Sequence, residues 1–266
     1  MIMKYGLSMF GLGPVFLKDR EEFLRRTTAV GYRYMEPCVI ATQIPQLKEH
    51  FWTFSDLEVY FPLLQSYGVQ ICSLHVYPQN LSKERQDLVS LAKKYAVTQL
   101  VIPCPQFDSV QKGEELAKAL TREADAMQAE GIELLLHNGK AESSVRIEGI
   151  SAYEWLLQHC GENVGAQADV GWLLYGGTDP EAFLWRNQKR VRSLHYKDME
   201  HTADGMVETG VGRGLVDMPA CFRFANAVDI VQLVDQDSSR GDFLADLDFV
   251  ARRLQETIRG CVKGFE

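Results

Sequence analysis

The sequence has 266 residues, of which 46% are hydrophobic and 24% are charged, as in an ordinary globular protein. Its 36 acidic residues outnumber the 28 Lys and Arg residues, and the formal net charge of −8 argues against nucleic acid as a partner. Residues Met1 to Tyr5 show no signal-peptide pattern, and no apolar run approaches the roughly 18 residues that a membrane span needs. We therefore predict a cytoplasmic protein without a membrane partner.

The cysteines are dispersed along the chain and form no C-x-x-C pair. In a chain of this size without an export signal, this spacing predicts reduced and mostly buried thiols rather than a disulfide framework. The cysteines are Cys38, Cys72, Cys104, Cys160, Cys221 and Cys261.

In the first half of the chain, apolar strand-like runs alternate with segments of helical spacing. The elements predicted here are a strand at Lys4 to Phe10 closed by a turn at Gly11, Gly13 and Pro14, a helix at Asp19 to Val30, a strand at Tyr32 to Glu36, a loop at Ile40 to Ser55, a helix at Asp56 to Tyr67, a strand at Val69 to His75, a helix at Leu81 to Tyr95 and a strand at Thr98 to Cys104. In the long loop, we expect Trp52 and Phe54 to be exposed as a lid.

The second half continues the same alternation. Its predicted elements are a helix at Glu114 to Glu130, a strand at Ile132 to His137, a helix at Ile150 to Cys160, a strand at Val164 to Asp169, a helix at Pro180 to Gln188, a strand at Val191 to His195, a glycine-containing loop at Gly210 to Gly214, a short helix at Met218 to Ala227, a strand at Ile230 to Asp235 and a helix at Phe243 to Ile258.

Eight strands alternating with about eight helices predict a single (β/α)8 TIM barrel that spans residues 1–266 as one domain. The alternative is an open doubly wound sheet. That fold usually has a Gly-rich first turn, and Phe10 to Pro14 does not continue as G-x-G-x-x-G.

Acidic residues and histidines recur where the predicted strands end, and barrel geometry brings the carboxyl ends of all strands to one rim. Carboxylates and imidazole without a thiolate suit Mn²⁺, Mg²⁺ or Co²⁺ better than Zn²⁺. Alternatives exist for single residues, because Glu36 could pair with Arg33 and the rim aromatics could be ordinary packing. The rim residues are Glu36, His75, His137, Asp169, His195 and Asp235, with Glu142 close behind.

Several motifs in the second half resemble the xylose isomerase-like superfamily, in particular its sugar phosphate isomerase/epimerase branch. His137 to Glu142 is similar to the H-N-H-x-x-E of that family, with Gly139 in place of the second histidine. After strand eight the family has Glu-Gln-Asp, and here Asp235 replaces the Glu. The other matching motifs are Asp169-Val170-Gly171-Trp172, Gly176-Gly177-Thr178-Asp179-Pro180, Leu194-His195-Tyr196-Lys197-Asp198, Gly210-Val211-Gly212 with Asp217, and Asp235-Gln236-Asp237.

The resemblance implies a divalent-metal-dependent sugar isomerase or epimerase of carbohydrate metabolism. Its metal ligands would be Glu142, Asp169, His195 and Asp235, and Glu142 with Asp235 would exchange a proton next to a metal-bound carbonyl. The partner would be a small sugar or polyol. The residues that we expect to bind this substrate are Glu36, His75, His137, Trp172 and Lys197.

Other functions stay open at this point. The same superfamily includes dehydratases of cyclic polyol ketones of the inosose type, and a barrel that binds sugar without turnover is a different class. A DNA-repair endonuclease is disfavoured by the net charge of −8 and by a total of six histidines. The sequence leaves undecided which sugar is bound, whether it is phosphorylated, which metal is native and whether the chain forms a homo-oligomer.

Overall fold

A computed structural model describes the backbone of residues 4–263 and the side chains of residues 4–256. The predictions that concern Met1 to Met3 and the side chain of Cys261 lie outside these residues. The helices are α1 (Met9–Lys18), α2 (Arg20–Ala29), α3 (Phe54–Ser66), α4 (Leu81–Lys94), α5 (Val110–Gln128), α6 (Lys140–Ser144), α7 (Ala152–His159), α8 (Val170–Tyr175), α9 (Pro180–Arg186), α10 (Met218–Val228) and α11 (Phe243–Lys263), with a 3-10 turn at Pro45–Leu47.

The strands are short, and most of them are buried on both faces. They are β1 (Tyr5–Ser8), β2 (Tyr34–Glu36), β3 (Cys38–Ile40), β4 (Trp52–Thr53), β5 (Gln70–Ile71), β6 (Leu74–Val76), β7 (Gln99–Pro103), β8 (Glu133–His137), β9 (Arg146–Ile147), β10 (Ile150–Ser151), β11 (Val164–Asp169), β12 (Val191–Tyr196), β13 (Asp198–Thr202), β14 (Gly205–Thr209) and β15 (Val231–Val234).

Parallel pairing joins most of these strands into one sheet. Within residues 4–263 its order is β4-β3-β6-β7-β8-β11-β12-β15-β1-β2-β5. The first strand, β1, pairs in parallel with β15 on one side and with β2 on the other, so the sheet curls until early and late strands meet. The predicted α/β class with parallel strands is therefore confirmed, in the form of a curled parallel sheet with helices between its strands.

The chain start differs from the prediction, because Gly11, Gly13 and Pro14 lie inside helix α1 and do not form a turn. A Cβ atom on Gly11 would lie 2.0 Å from the carbonyl oxygen of Gln236, and one on Gly13 would lie 2.1 Å from that of Glu49. The glycines therefore permit a close approach of backbones, which a local pattern does not distinguish from a turn.

The predicted exposed lid is wrong for Trp52, which is only 1% exposed. Its ring packs against Phe16 and Tyr60, with centroid distances of 5.2 and 4.9 Å. The next residue, Thr53, begins α3 with a capping box, in which its hydroxyl accepts from the Asp56 N–H and the Asp56 carboxylate accepts from the Thr53 N–H. Trp52 thus ties this segment to the core.

The predicted glycine loop after β12 is preceded by a hairpin of β13 and β14, which the sequence analysis did not detect. Asp198, at the start of this hairpin, accepts hydrogen bonds from the backbone N–H groups of Met199, Gly212, Gly214 and Val216. A buried carboxylate therefore fixes the loop between the hairpin and α10.

The cysteines follow the prediction where their side chains are described. Cys38, Cys72, Cys104, Cys160 and Cys221 are all free, and all but Cys72 are buried. No helix within residues 4–263 combines the length and the apolar content that a membrane crossing requires.

Candidate metal centre

Charged and imidazole side chains meet where neighbouring strands of the sheet end. His137 is the last residue of β8, Asp169 is the last residue of β11, and His195 lies one residue before the end of β12. Asp235 directly follows β15. Because these strands are adjacent and parallel, their carboxyl ends place the side chains at one edge of the sheet.

His137, Asp169 and His195 each offer a donor atom that lies within 4.8 Å of the donor atoms of the other two. Among the described residues, Nδ1 of His137, Oδ2 of Asp169 and Nδ1 of His195 have no hydrogen-bond partner. A buried polar atom without a partner costs about 1–3 kcal/mol, so three of them in one place indicate a ligand position. Imidazole nitrogens and a carboxylate oxygen around one point fit a divalent metal ion.

Asp235 adds a second carboxylate beside this group. Its Oδ2 lies 3.3 Å from Nδ1 of His195 and 3.2 Å from Nζ of Lys197, while its Oδ1 has no partner among the described residues. The side chain is only 7% exposed. Asp235 therefore directs an unpaired oxygen into the same buried region as the other donors.

The orientation of Asp169 is fixed from both sides. Its Oδ1 accepts the Trp172 N–H at 2.8 Å and caps α8, which leaves Oδ2 as the unpaired oxygen. The amide of Asn138 accepts from the Asp169 N–H at 2.8 Å and donates to the Asp169 carbonyl oxygen at 3.0 Å. These contacts lock β8 to β11 and hold the Asp169 carboxylate in one direction before any ligand binds.

The electrostatics of the metal-free site favour bound protons on some donors. Burial raises the pKa of Asp169 far above its usual range, with Asp235 adding to the effect, although Lys197 and His195 oppose it. Burial lowers the pKa of His195, but Glu36 and Asp235 outweigh this and raise it to about 10. Burial also opposes ionisation of Asp235, yet Lys197 and His195 hold its pKa well below the usual range. A binding metal ion would therefore displace protons.

Lys197 is a buried cation with acidic neighbours on several sides. Its side chain is 1% exposed, and Nζ lies 2.9 Å from Asp237 Oδ2, 3.2 Å from Asp235 Oδ2 and 3.6 Å from Glu208 Oε2. The same Nζ lies 5.8 Å from the centre of the Trp172 ring. Lys197 therefore neutralises the carboxylates around it.

A cavity of about 150 Å³ opens beside these donors. The Tyr77 ring stacks on His75 with 7° between the ring planes, and Nε2 of His75 has no hydrogen-bond partner among the described residues. The cavity is lined by Ser8, Phe10, Cys38, His75, Tyr77, His137, Trp172, His195, Asp235 and Asp237.

The structure does not bring Glu142 into the donor group. Its Oε2 accepts the Gly139 N–H at 3.1 Å, at the first turn of α6. It also lines a different cavity, together with Phe107 and Ala152, and this cavity shares no lining residue with the one beside His195. Glu142 thus caps the first turn of α6, and the residue of this segment in the donor group is His137.

Comparison with known proteins gives a fold relationship. No family model matches the sequence, and no curated protein matches it. A sugar phosphate isomerase/epimerase structure from Parabacteroides distasonis is similar with a TM-score of 0.75 at 20% identity, covering 96% of this chain and 94% of the other. The probable 3-DHS dehydratase AsbF of Bacillus anthracis is similar with a TM-score of 0.72 at 15% identity, covering 95% of this chain and 99% of the other. A xylose isomerase-like TIM barrel protein of Mycobacterium smegmatis in complex with magnesium is similar with a TM-score of 0.64 at 14% identity, covering 96% of each chain.

The fold of this chain is similar to that of xylose isomerase-like TIM barrel proteins. In TIM barrels, functional residues lie at the carboxyl ends of the strands, which is where the donor group and the cavity lie here. Of the residues predicted to bind substrate, His75, His137 and Trp172 line the cavity. Glu36 and Lys197 do not line it and lie buried beside it.

Four residues in or beside this site were not identified from the sequence: Ser73, Tyr77, Gln167 and Glu208. Tyr77 lies two residues after His75, and since side chains alternate along a strand, this spacing placed both on one side. Ser73 precedes His75 by the same interval, and its hydroxyl donates to Glu36 at 2.5 Å. Gln167 and Glu208 gave no comparable signal.

Proposed function

We propose that this chain is a divalent-metal-dependent isomerase or epimerase of a small, unphosphorylated sugar or polyol ketone. The observation that carries the proposal is the convergence of donor atoms from His137, Asp169 and His195 within 4.8 Å of one another at the strand ends. Asp235, which with His137 and His195 lines the cavity there, adds an oxygen without a partner among the described residues. A packed core alone would leave these buried atoms uncompensated.

We also propose that the curled sheet closes as a (β/α)8 barrel and that the chain forms one domain. Strands β2 and β3 follow each other across Pro37, and β5 and β6 follow each other across Cys72 and Ser73. The Cys72 N–H donates to the Met35 carbonyl, and the His75 N–H donates to that of Pro37, each at 3.1 Å. Two interrupted strands that stay paired in this way support a continuous ring.

The metal would be held by His137, Asp169, His195 and Asp235. Two imidazoles beside two carboxylates suit borderline ions such as Co²⁺, Zn²⁺ and Fe²⁺ better than Mg²⁺, which prefers oxygen ligands. This shifts the metal preference from that expected for a set containing Glu142. When bound, the ion would polarise a substrate carbonyl and stabilise the negative charge that develops when the neighbouring carbon loses a proton.

Proton transfer would fall to a cavity residue outside the donor set. His75 meets this requirement, because it lines the cavity and its Nε2 has no hydrogen-bond partner among the described residues. We propose that Nε2 takes the proton from the carbon next to the carbonyl and returns it to the substrate. Lys197 would hold Asp235 and Asp237 in place through its contacts of 3.2 and 2.9 Å.

The residues that line the cavity favour an uncharged substrate. None of the described residues that line the cavity is a Lys or Arg, and Lys197 is already surrounded by carboxylates. The volume of about 150 Å³ is below the range of about 300–1,000 Å³ typical of pockets for drug-sized ligands, which suits a monosaccharide or cyclitol. Phe10, Tyr77 and Trp172 supply apolar faces for its C–H groups.

The test is metal analysis of the purified protein, followed by incubation with ketoses and inososes in deuterated solvent. Deuterium in an isomerised or epimerised product is the expected result, whereas loss of water to an unsaturated product would instead establish the dehydratase alternative. Sugar binding without any exchange across metals would contradict an enzyme and leave a binding barrel.

Matched histidine variants tie the result to this site. His137→Ala should lose metal and exchange together, since it removes one donor of the group. His201→Ala is the control, because His201 is exposed on strand β13. Equal metal content in the two variants would contradict the proposed ligand set.

A further inference from the structure

Glu36 is a carboxylate that the proposed chemistry does not use, yet it is 0% exposed. Its Oε2 accepts from the Ser73 hydroxyl at 2.5 Å and from the Gln167 amide at 2.6 Å. Its Oε1 lies 2.8 Å from Nε2 of His195 and 3.5 Å from Nδ1 of His75. Both oxygens are therefore occupied, and Glu36 is not among the residues that line the cavity.

The contact with His195 decides which ring nitrogen is available. A carboxylate can only accept hydrogen bonds, so Nε2 of His195 must carry a hydrogen to make the 2.8 Å contact. The other nitrogen, Nδ1, lies 3.3 Å from Asp235 and has no hydrogen-bond partner among the described residues. The ring therefore turns Nδ1 toward the donor group and Nε2 away from it.

We propose that Glu36 is a positioning residue that makes His195 bind the metal through Nδ1. This inference rests on the metal site of the proposed function. Glu36 holds the Nε2–H group, fixes the plane of the ring and increases the basicity of the opposite nitrogen, as outer partners of metal-binding histidines do.

The surroundings of Glu36 keep this carboxylate in a single orientation. Ser73 and Gln167 both donate to Oε2, which leaves Oε1 for the imidazoles. Gln167 also donates to Ser193 Oγ at 3.2 Å, and Ser193 lies two residues before His195 on β12. Residues of strands β2, β11 and β12 thus together orient Glu36 for its hydrogen bond with the His195 ring.

The test compares metal binding by Glu36→Gln with that by Glu154→Gln. Glu154 is a matched control, since it is also buried, at 3% exposed, but accepts from Arg186 and Asn187 away from the site. Co²⁺ affinity, from chelator competition, should fall about 10- to 100-fold in Glu36→Gln and stay unchanged in Glu154→Gln, and the visible Co²⁺ spectrum should change only in the former. Equal affinities and spectra in both variants would overturn the inference.

A second measurement needs no variant and stays decisive even if Glu36→Gln does not fold. In a crystal structure of the Co²⁺-loaded protein, Nδ1 of His195 should lie about 2.0–2.2 Å from the ion while Nε2 contacts Glu36. Coordination through Nε2 would overturn the inference but leave the proposed function intact. Failure of the unaltered protein to bind any divalent ion would instead refute the proposed function itself.

Discussion

Lys197→Met is the sharpest test of the electrostatics around the site. Methionine keeps an unbranched apolar side chain of similar length but removes the charge. Asp235, Asp237 and Glu208 would then face one another in a buried region without the cation that now lies between 2.9 and 3.6 Å from each of them.

The distances between these charges set the size of the expected loss in the free energy of unfolding. Unit charges about 3 Å apart interact by about 5 kcal/mol at an effective dielectric constant of about 20, before the cost of burying the ammonium group is subtracted. Removing one partner of a buried ion pair typically costs about 3–5 kcal/mol, because the other charge is left uncompensated. We therefore expect the free energy of unfolding of Lys197→Met to drop by about 3–5 kcal/mol at about pH 8.

The loss should shrink as the pH falls. Burial raises the pKa of Glu208 to about 7, although Lys197 opposes the shift, and burial with the neighbouring Asp235 raises the pKa of Asp237. An acid whose pKa is raised by folding stabilises the folded protein at low pH and loses that contribution as the pH rises through the folded pKa. Without Lys197 both pKa values rise further, so protonation relieves the repulsion below about pH 7.

The assay is urea unfolding of the metal-free protein with a chelator present, at about pH 8 and about pH 5.5. Lys94→Met is the control, because Lys94 is 54% exposed and pairs with Glu58 at the surface. Its effect should be much smaller at both pH values. The reasoning is refuted if Lys197→Met loses no more stability than the control at the higher pH, or if its loss is the same at both.

Three further variants probe the site and its scaffold. Asp235→Asn should weaken metal binding while saturating metal restores most turnover, and a residual kcat defect above about hundredfold would show instead that Asp235 transfers a proton. His195→Ala should lower metal affinity by about tenfold or more in equilibrium dialysis, and unchanged metal content would exclude it as a ligand. Gly171→Ala should lower the free energy of unfolding by about 1–3 kcal/mol, since its Cβ would lie 2.7 Å from the Lys197 carbonyl oxygen, and an unchanged thermal midpoint would contradict this.

The strands were predictable because their sequence pattern is local. Val164 to Asp169 was predicted and observed with the same bounds, since a strand buried on both faces is mostly apolar, with Gln167 and the terminal Asp169 as its polar residues. Helix α1 was not predictable, because Gly11 and Gly13 serve contacts with Gln236 and Glu49, which are distant in the sequence. Local rules for glycine and proline favour a turn there and contain no information about such partners.

The residues of the candidate site were likewise predictable where the signal is local and not where it depends on the folded loop. Asp169, His195 and Asp235 were placed at the rim from their positions at strand ends, and the family resemblance then named them as ligands. For Asp169 and His195 the cost of an unpaired buried charge also favoured a function. For the strand-five ligand, motif spacing pointed to Glu142, whereas the donor group contains His137. Which of the two faces the strand ends depends on the short helix α6, where Glu142 accepts the Gly139 N–H. That side-chain direction is a property of the folded loop.

The interruptions in the strands make one wall of the site less firmly bonded than the other. Between residues 4 and 263, β2 is registered with β5 at Tyr34–Gln70 and Met35–Ile71, whereas β8 and β11 are registered continuously from Val164–Leu134 to Gln167–His137. Local opening should therefore begin where β2 pairs with β5. Amide hydrogens of these two strands should exchange with solvent earlier than those of β8 and β11. The side of the site with His75 and Tyr77 would then open transiently to admit ligand, while the side with His137 and Asp169 stays closed.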